Sequence, residues 1–314
     1  MVIAVKAIYV YPIKSCGGIS VAEAPISSTG FRWDRQWVVV NSKGRAVTQR
    51  VEPKLALVQT QLPHEAFSLD CHPSNHSFLE IKAPGMEVLK VALVKSSSSS
   101  SSGSGEKVDG ISVWEWSGSA VDEGAAAAQW FSNYLGKPSR LVRFNHVSGV
   151  RKVEADYAPG YNVMFADMYP FLLLSQGSMD ALNARLKEPV AVNRFRPNIL
   201  VDGCEPFCED LWTEMRIKNA TFKGVKLCSR CKVPTVNQET GTAGGSEPTD
   251  TLLSFRSDKA LRPNNKHQKG KVYFGQNLVC TDSLATQPGN GKTVKLGDTL
   301  IVLKTVPSAD AAAA

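Results

Sequence analysis

Short apolar runs separated by turn-forming residues dominate the first part of the chain. The runs cover residues 2–9, 36–41, 55–61, 78–82, 88–94 and 111–116. Clusters of glycine, proline, serine and asparagine lie between most of them, and this combination is typical of short antiparallel strands. We therefore predict a small antiparallel β-barrel or sandwich in this part.

The second part of the chain mixes helical and strand patterns. Apolar residues recur at helical spacing in residues 122–135 and 175–186, which predicts two helices. Strand patterns lie at residues 199–201, 214–217, 220–222 and 299–304, whereas residues 241–250 and 257–271 are polar and predicted to be loops. The whole pattern predicts an α+β fold that is mostly β.

The change of pattern suggests two domains. We predict a β-barrel domain over residues 1–120, a mixed β domain with a few helices over residues 121–308, and a disordered tail at residues 309–314. Residues 96–105 consist of seven serines followed by Gly-Ser-Gly. Such a tract has nothing to bury, so we interpret it as a flexible loop, either inserted within the first domain or marking its boundary.

The charge balance bears on the kind of partner. The formal net charge is +7, and the Lys and Arg residues are scattered rather than gathered in one block. Scattered basic charge favours an anionic ligand or an acidic protein partner over nucleic acid, although a basic surface without a partner gives the same count.

Cysteine usage and hydropathy bear on the compartment. The chain has seven cysteines, an odd number, and its first residues lack the pattern of a secretory signal. No apolar stretch approaches the roughly 18 to 20 residues that cross a bilayer. We expect a reducing compartment, no disulfide framework and no membrane span.

The motif Cys228-Ser229-Arg230-Cys231 is the strongest local signal for chemistry. A thioredoxin-like dithiol would open a helix, which the following run Lys-Val-Pro-Thr-Val disfavours. A zinc site would need two more ligands, for which Cys204 and Cys208 are candidates. Two small buried thiols are a further alternative. Arg230 would favour thiolate over thiol, which argues against the buried-thiol alternative. The residues alone still leave these roles open.

Two other regions carry basic residues beside turns or aromatic rings. In residues 11–18, Tyr-Pro-Ile-Lys-Ser-Cys-Gly-Gly, a strand ends before a lysine, a hydroxyl and flexible backbone amides, which suits an oxyanion such as phosphate. Residues 32–35 and 193–198 place arginines next to aromatic rings, where one of each pair could bind phosphate or stack on a planar group. A solvated lysine and surface ion pairs are the alternatives.

Taken in order, these motifs resemble the MOSC family. Residues 11–16, Asp34-Arg35, residues 193–198 and Cys228–Cys231 together resemble the amidoxime reducing components within that family. The resemblance implies an N-terminal MOSC β-barrel domain followed by a MOSC domain, and a molybdenum cofactor, Mo-molybdopterin, as the bound group. It implies that Cys231 is both the thiolate ligand of molybdenum and the catalytic residue. A soft thiolate suits that metal.

The resemblance also implies a set of residues that hold the pterin and its terminal phosphate. They are Lys14, Ser15, Arg35, Asp167, Arg196, Ser229 and Arg230. Asp167 lies in Phe165-Ala166-Asp167-Met168, which is similar to a family segment that lines the pterin. The role of Cys228 stays open.

The activity implied by the resemblance is reduction of N-hydroxylated compounds such as amidoximes and hydroxylamines, and possibly of nitrite. No Gly-x-Gly-x-x-Gly motif is present, so we expect electrons from outside, in this family from NADH through cytochrome b5 reductase and cytochrome b5. The alternative is a non-catalytic module that carries the cofactor, similar to the MOSC part of molybdenum cofactor sulfurase, without its pyridoxal-phosphate domain.

Two positions depart from the family pattern. Asn237 stands where relatives have aspartate, and Asn277 stands where they have tyrosine after Phe-Gly-Gln. We expect these changes to alter substrate preference. The membrane-anchoring extension of animal members is not found, so we expect a cytoplasmic protein, with mitochondrial association as the alternative.

Overall fold

The computed structural model describes residues 2–94, 105–147, 149–263, 270–284 and 291–312. Its strands in chain order are β1 (Ala4–Val10), β2 (Ile19–Val21), β3 (Glu23–Ser27), β4 (Gly30–Phe31), β5 (Trp37–Asn41), β6 (Gln59–Gln61), β7 (Phe78–Lys82), β8 (Leu89–Ala92), β9 (Lys107–Val113), β10 (Trp116–Asp122), β11 (Ser139–Phe144), β12 (Phe171–Ser175), β13 (Ile199–Asp202), β14 (Trp212–Ile217), β15 (Ala220–Ser229), β16 (Val236–Asn237), β17 (Thr242–Ala243), β18 (Tyr273–Cys280), β19 (Thr293–Lys295) and β20 (Leu300–Thr305). The α-helices are α1 (Ala125–Leu135), α2 (Gln176–Asn183), α3 (Thr249–Arg256) and α4 (Asp258–Leu261).

One large sheet joins the two parts of the chain. Its eight strands lie in the order β2-β1-β13-β12-β18-β15-β14-β20. β1 pairs antiparallel with β13, whereas β12 and β13 are parallel. The amino-terminal strand therefore completes a sheet made mostly from the second part of the sequence.

Smaller sheets surround this large one. A four-stranded sheet has the order β5-β11-β10-β9, and three-stranded sheets are formed by β6-β7-β8 and by β19-β3-β4. The fold is mostly β with few helices, which confirms the predicted fold class.

A shared hydrophobic core lies between these sheets. Phe171 of β12 contacts Phe31 of β4 and Phe222 of β15, with ring centroids 4.9 and 5.4 Å apart, both edge to face. All three rings are almost completely buried. Burial of side chains from both parts of the chain in one cluster fixes the two parts against each other.

Two of the predicted strands in the first part of the chain are wrong. Residues 55–61 are not one strand, since Pro53–Leu57 forms a 3-10 helix that buries Leu55 before β6 begins. Residues 111–116 are not one strand either, because the chain turns between β9 and β10.

The predicted polar loops are also partly wrong. The segment 241–250 contains β17 and the start of α3, and the segment 257–271 contains α4. α3 buries only Leu252 and Arg256. Its residues are therefore polar on average, although one face of the helix is buried.

Some predictions lie outside the described residues. The serine tract falls there except for Gly105, as do residues 313 and 314 of the predicted tail. Ala312 is buried in a small cluster with Leu227 and Tyr273. The domain boundary at residue 120 stays a prediction. Among the described residues, no helix is both long and apolar enough to cross a membrane.

Candidate cofactor site

A cavity of about 450 Å³ lies where the amino-terminal loop meets β15 and the loop after it. Every site residue predicted from the sequence lines it: Lys14, Ser15, Arg35, Asp167, Arg196, Ser229, Arg230 and Cys231. These residues span more than two hundred positions of sequence. The fold thus brings the predicted set together in one place.

The loop after β1 supplies Lys14 and Ser15. Lys14 is 5% exposed, and its ammonium donates to the Phe165 carbonyl at 2.9 Å and contacts the Asp167 carboxylate. Burial lowers the pKa of Lys14, while Asp167 opposes this effect. Gln49 donates to the Ser15 carbonyl at 2.7 Å and thereby holds the loop.

Asp167 balances the buried lysine. Desolvation would raise the pKa of its carboxyl, but the contact with Lys14 outweighs this, so the pKa lies below its usual value. The side chain is nevertheless 57% exposed towards the cavity, so solvent screens part of this attraction.

Two arginines converge on the Tyr11 ring. The guanidinium carbons of Arg35 and Arg196 each lie 4.3 Å from its centroid, within cation–π distance. Arg35 donates to Asp34 at 2.5 Å and to Asn198 at 3.0 Å. Asn198 is 2% exposed and also donates to the Tyr9 carbonyl at 3.2 Å, so it links the two arginine-bearing loops to β1.

Two buried donors at this wall have no partner among the described residues. Arg196 donates through Nη1 to the Cys16 carbonyl at 2.7 Å, but its Nη2 has no hydrogen-bond partner in the described part of the chain. The Nε of Arg230 is likewise unsatisfied. Because buried N–H groups almost always find an acceptor, both atoms fit an anionic ligand that completes the site.

The charge of the lining agrees with such a ligand. The described lining residues include seven basic side chains: Lys14, Arg35, Arg50, Arg196, Lys226, Arg230 and Lys271. They include three carboxylates, on Glu115, Glu154 and Asp167. The excess of positive charge in a concave site favours a polyanion over a cation.

The Cys228–Cys231 segment leaves β15 and turns at the cavity wall. Arg230 donates to the Cys228 sulfur at 3.1 Å and to the Phe195 carbonyl at 2.9 Å. Burial raises the pKa of the Cys228 thiol, and Arg230 opposes the rise. A 3-10 turn at Val233–Thr235 follows instead of an α-helix, which removes the basis for a thioredoxin-like dithiol.

The zinc alternative also loses its basis. Within the part of the chain that the structure describes, no three Cys, His, Asp or Glu residues form a group that could hold a metal. Cys204 and Cys208 pack instead against the main hydrophobic core.

Arg151 was missed by the sequence reasoning. It is 7% exposed and donates to the carbonyls of Met164, at 3.1 Å, of Ala166, and of Asp167, at 2.6 Å. These bonds shape the loop that presents Asp167. No local motif marks Arg151, since its acceptors are backbone atoms that only the fold brings near.

The two residues that depart from the family pattern, Asn237 and Asn277, differ in their position relative to the cavity. Asn277 of β18 lines the cavity, whereas Asn237 is not among its lining residues. The Asn237 side chain accepts from the backbone N–H groups of Glu239 and Thr240, at 2.9 and 3.2 Å. Only Asn277 is therefore placed to touch a ligand of this cavity directly.

Comparison with known proteins identifies the family of this chain. Residues 2–138 match the MOSC N-terminal beta barrel domain, and residues 160–301 match the MOSC domain. The chain is 34% identical to mitochondrial amidoxime-reducing component 1 of Homo sapiens, over 95% of this chain and 82% of the relative. This chain belongs to the MOSC family that includes the amidoxime-reducing components.

The chain is also similar in sequence to other members of the family that carry different names. The chain is 36% identical to mitochondrial amidoxime reducing component 2 of Bos taurus, over 80% of this chain and 72% of the relative. It is 30% identical to molybdenum cofactor sulfurase of Arabidopsis thaliana, over 86% of this chain but 32% of that longer protein. The MOSC relatives thus associate this chain with molybdenum-cofactor proteins.

Proposed function

We propose that this MOSC protein is a molybdenum-cofactor reductase of N-hydroxylated compounds, including amidoximes and hydroxylamines. One observation carries the proposal: Cys231 shares a basic cavity with two arginines that each have one buried donor without an acceptor among the described residues. Relatives named for amidoxime reduction, at 34 and 36% identity, support the choice of reaction.

The residues of the cavity have distinct proposed roles toward the cofactor. Cys231 would supply the thiolate ligand of molybdenum. Arg196 and Arg230 would hold the anionic end through their free donors, with Lys14, Ser15, Arg35 and Ser229 beside them. Asp167 would accept from the polar edge of the pterin. When bound, the cofactor supplies the two-electron chemistry that removes oxygen from the N–O bond.

Reduction of an N–O bond to amine and water consumes protons, and the cavity contains a carboxylate that accepts hydrogen bonds from two proton-bearing groups. Glu154 lines the cavity, and its Oε2 accepts from Lys226 at 2.8 Å and from the Tyr169 hydroxyl at 2.9 Å. Burial would raise the pKa of Glu154, but the hydrogen bonds from Lys226 and Tyr169 outweigh this effect and keep the pKa below its usual value. Glu154 is therefore ionised near neutral pH, and we assign it the role of orienting Lys226 and Tyr169 at the cavity rather than of supplying protons.

The electrons are proposed to come from a separate protein. The sequence has no Gly-x-Gly-x-x-Gly motif for a nicotinamide or flavin cofactor. Cytochrome b5, reduced by NADH-cytochrome b5 reductase, is the proposed donor. The net charge of +7 would steer an acidic cytochrome toward this protein.

Two measurements test the proposal. Purified protein should contain molybdenum and pterin in equal amounts, as determined by metal analysis and by fluorescence of the released pterin. The loaded protein should convert benzamidoxime to benzamidine with NADH, cytochrome b5 and its reductase. Full cofactor loading without turnover of any N-hydroxylated compound would instead indicate the cofactor-carrier alternative. Zinc in place of molybdenum would overturn both.

The compartment is proposed to be the cytoplasm, with mitochondrial association as the alternative. The printed names of the amidoxime-reducing relatives include the word mitochondrial, which supports the alternative. Fractionation of cells that express the tagged chain, with cytosolic and mitochondrial markers, separates the two.

A further inference from the structure

Trp114 lines the cavity, and neither the motifs nor the proposed cofactor contacts account for it. It lies in the two-residue turn between β9 and β10, where Val113 pairs with Trp116. The residue is 45% exposed. An exposed tryptophan held at the wall of a cavity is a common means of binding a planar ligand.

The backbone of Trp114 is strained. Its φ is +56°, a conformation that a tight turn normally assigns to glycine. Seven non-glycine residues in the described part of the chain have positive φ, and four of them line the cavity: Ser15, Arg35, Trp114 and Arg196. Strained residues cluster at functional sites. Trp114 shares this feature with three proposed cofactor-binding residues.

The indole is held in one orientation from two sides. Its N–H donates to the Asp167 carboxylate at 3.2 Å. The Arg50 guanidinium lies 4.0 Å from the ring centroid and covers one face of the ring. Because Arg50 covers one face, a planar ligand of the cavity would use the opposite face of the ring. A ring fixed in this way binds a flat partner with little loss of conformational entropy.

Trp114 lies at the open side of the cavity together with Asp167, whose side chain is 57% exposed, and away from the buried Lys14 and Ser15. Lys14 and Ser15 are 5 and 9% exposed, whereas Trp114 is 45% exposed. A resident cofactor occupies the buried part of a cavity, and an exchanging molecule enters from its open part. The open ring therefore faces the path of the substrate.

We propose that Trp114 binds the planar, conjugated part of aromatic N-hydroxylated substrates and thereby selects them over aliphatic ones. This inference rests on the proposed reductase function for the identity of the substrate. Benzamidoxime, whose ring and amidoxime group are conjugated, would lie on the open face of the indole. Acetamidoxime has the same reacting group without the ring and would gain little from Trp114.

Binding without electron donors tests the contact independently of turnover. Calorimetry of cofactor-loaded protein should show that Trp114→Ala weakens benzamidoxime binding by roughly tenfold, as loss of one aromatic contact predicts. Trp114→Phe keeps a ring without the N–H and should retain most of the affinity. Trp116→Phe is the matched control, because Trp116 donates to the Val150 carbonyl at 3.1 Å and is not a lining residue.

The outcomes separate this inference from the proposed function. Equal loss of benzamidoxime and acetamidoxime binding in Trp114→Ala would show that Trp114 only positions Asp167, which overturns the inference. Loss of molybdenum from Trp114→Ala would assign the ring to the cofactor and also overturn it. Ring-dependent binding of benzamidoxime without turnover by the wild-type protein would support the contact while the reductase proposal fails.

Discussion

The two cysteine pairs of this chain have similar spacing but different surroundings. Cys228 and Cys231 line the cavity, where Arg230 donates to the Cys228 sulfur. Cys204 and Cys208 pack against the main core near Glu209. The first pair therefore lies among positive charges and the second beside a carboxylate.

This difference shows that spacing does not decide the chemistry of a thiol. Neighbouring charge contributes to it, but burial outweighs Arg230 at Cys228, and the hydrogen bond from Cys208 outweighs Glu209 at Cys204. Positive charge stabilises a thiolate and attracts an anionic ligand, whereas a buried carboxylate disfavours both.

Substitution of the proposed molybdenum ligand should have the largest effect. Cys231→Ser should lower molybdenum content by at least about tenfold and abolish amidoxime reduction, since even changes behind a metal ligand cost about 10- to 100-fold in metal affinity. Metal analysis and benzamidoxime turnover measure this. The control is Cys204→Ser, which should keep both. Equal loss in the two variants would remove the contrast between the pairs.

Removal of a positive charge from the cavity wall should weaken cofactor retention. Arg196→Ala removes a buried donor that has no partner among residues 2–94, 105–147, 149–263, 270–284 and 291–312. We expect roughly tenfold weaker cofactor retention on gel filtration, as for loss of one charge-assisted hydrogen bond. Arg194→Ala lies two residues away and outside the lining, so it should retain the cofactor. An unfolded Arg196→Ala protein with the cofactor still bound would assign Arg196 a structural role.

The loop that presents Asp167 should depend on Arg151. Arg151→Met leaves the carbonyls of Met164, Ala166 and Asp167 without their donor and should lower the free energy of unfolding by about 3 kcal/mol. Urea denaturation measures the change. Arg216→Met, at an exposed position of β14, should change it by less than about 0.5 kcal/mol. Similar values for both variants would contradict the assigned role.

The alkylation rates of Cys228 and Cys204 should depend differently on pH, and this is the smallest of the expected effects. Burial raises the pKa of Cys228, so its alkylation in cofactor-free protein should keep rising above pH of about 8.5, the usual thiol value. A hydrogen bond from Cys208 lowers the pKa of Cys204, which should react at lower pH. Peptide mapping after iodoacetamide treatment across pH 7 to 10, roughly the span of these ionisations, measures both rates. Coincident pH profiles would refute the difference.

Short alternating segments were predictable from the sequence, whereas the central strand was not. β7 alternates buried and half-buried residues and was predicted with its observed bounds. β18 was missed because nearly all of its residues are buried, including Gln276, and because Gly275 has a φ of +88°. A strand covered on both faces has no period of two to detect.

The residues of the cavity also divide into those that the sequence predicted and those that it did not. Lys14, Arg35, Arg196 and Cys231 were predicted because they belong to motifs in a fixed order. Arg151 and Trp114 were not, because their roles depend on backbone carbonyls and a carboxylate that are distant in sequence.

The sequence by itself determined that the chain is mostly β, that it belongs with MOSC proteins, and which residues would gather around Cys231. The tertiary structure alone decided that Asn198 and Arg35, 163 positions apart, share a hydrogen bond. Likewise, it decided that Arg196 and Arg230 each keep one buried donor without a partner in the part of the chain that the structure describes. It also decided that the two cysteine pairs differ in their surroundings. The reason is physical: hydrogen bonding and desolvation depend on distances that local sequence patterns do not contain.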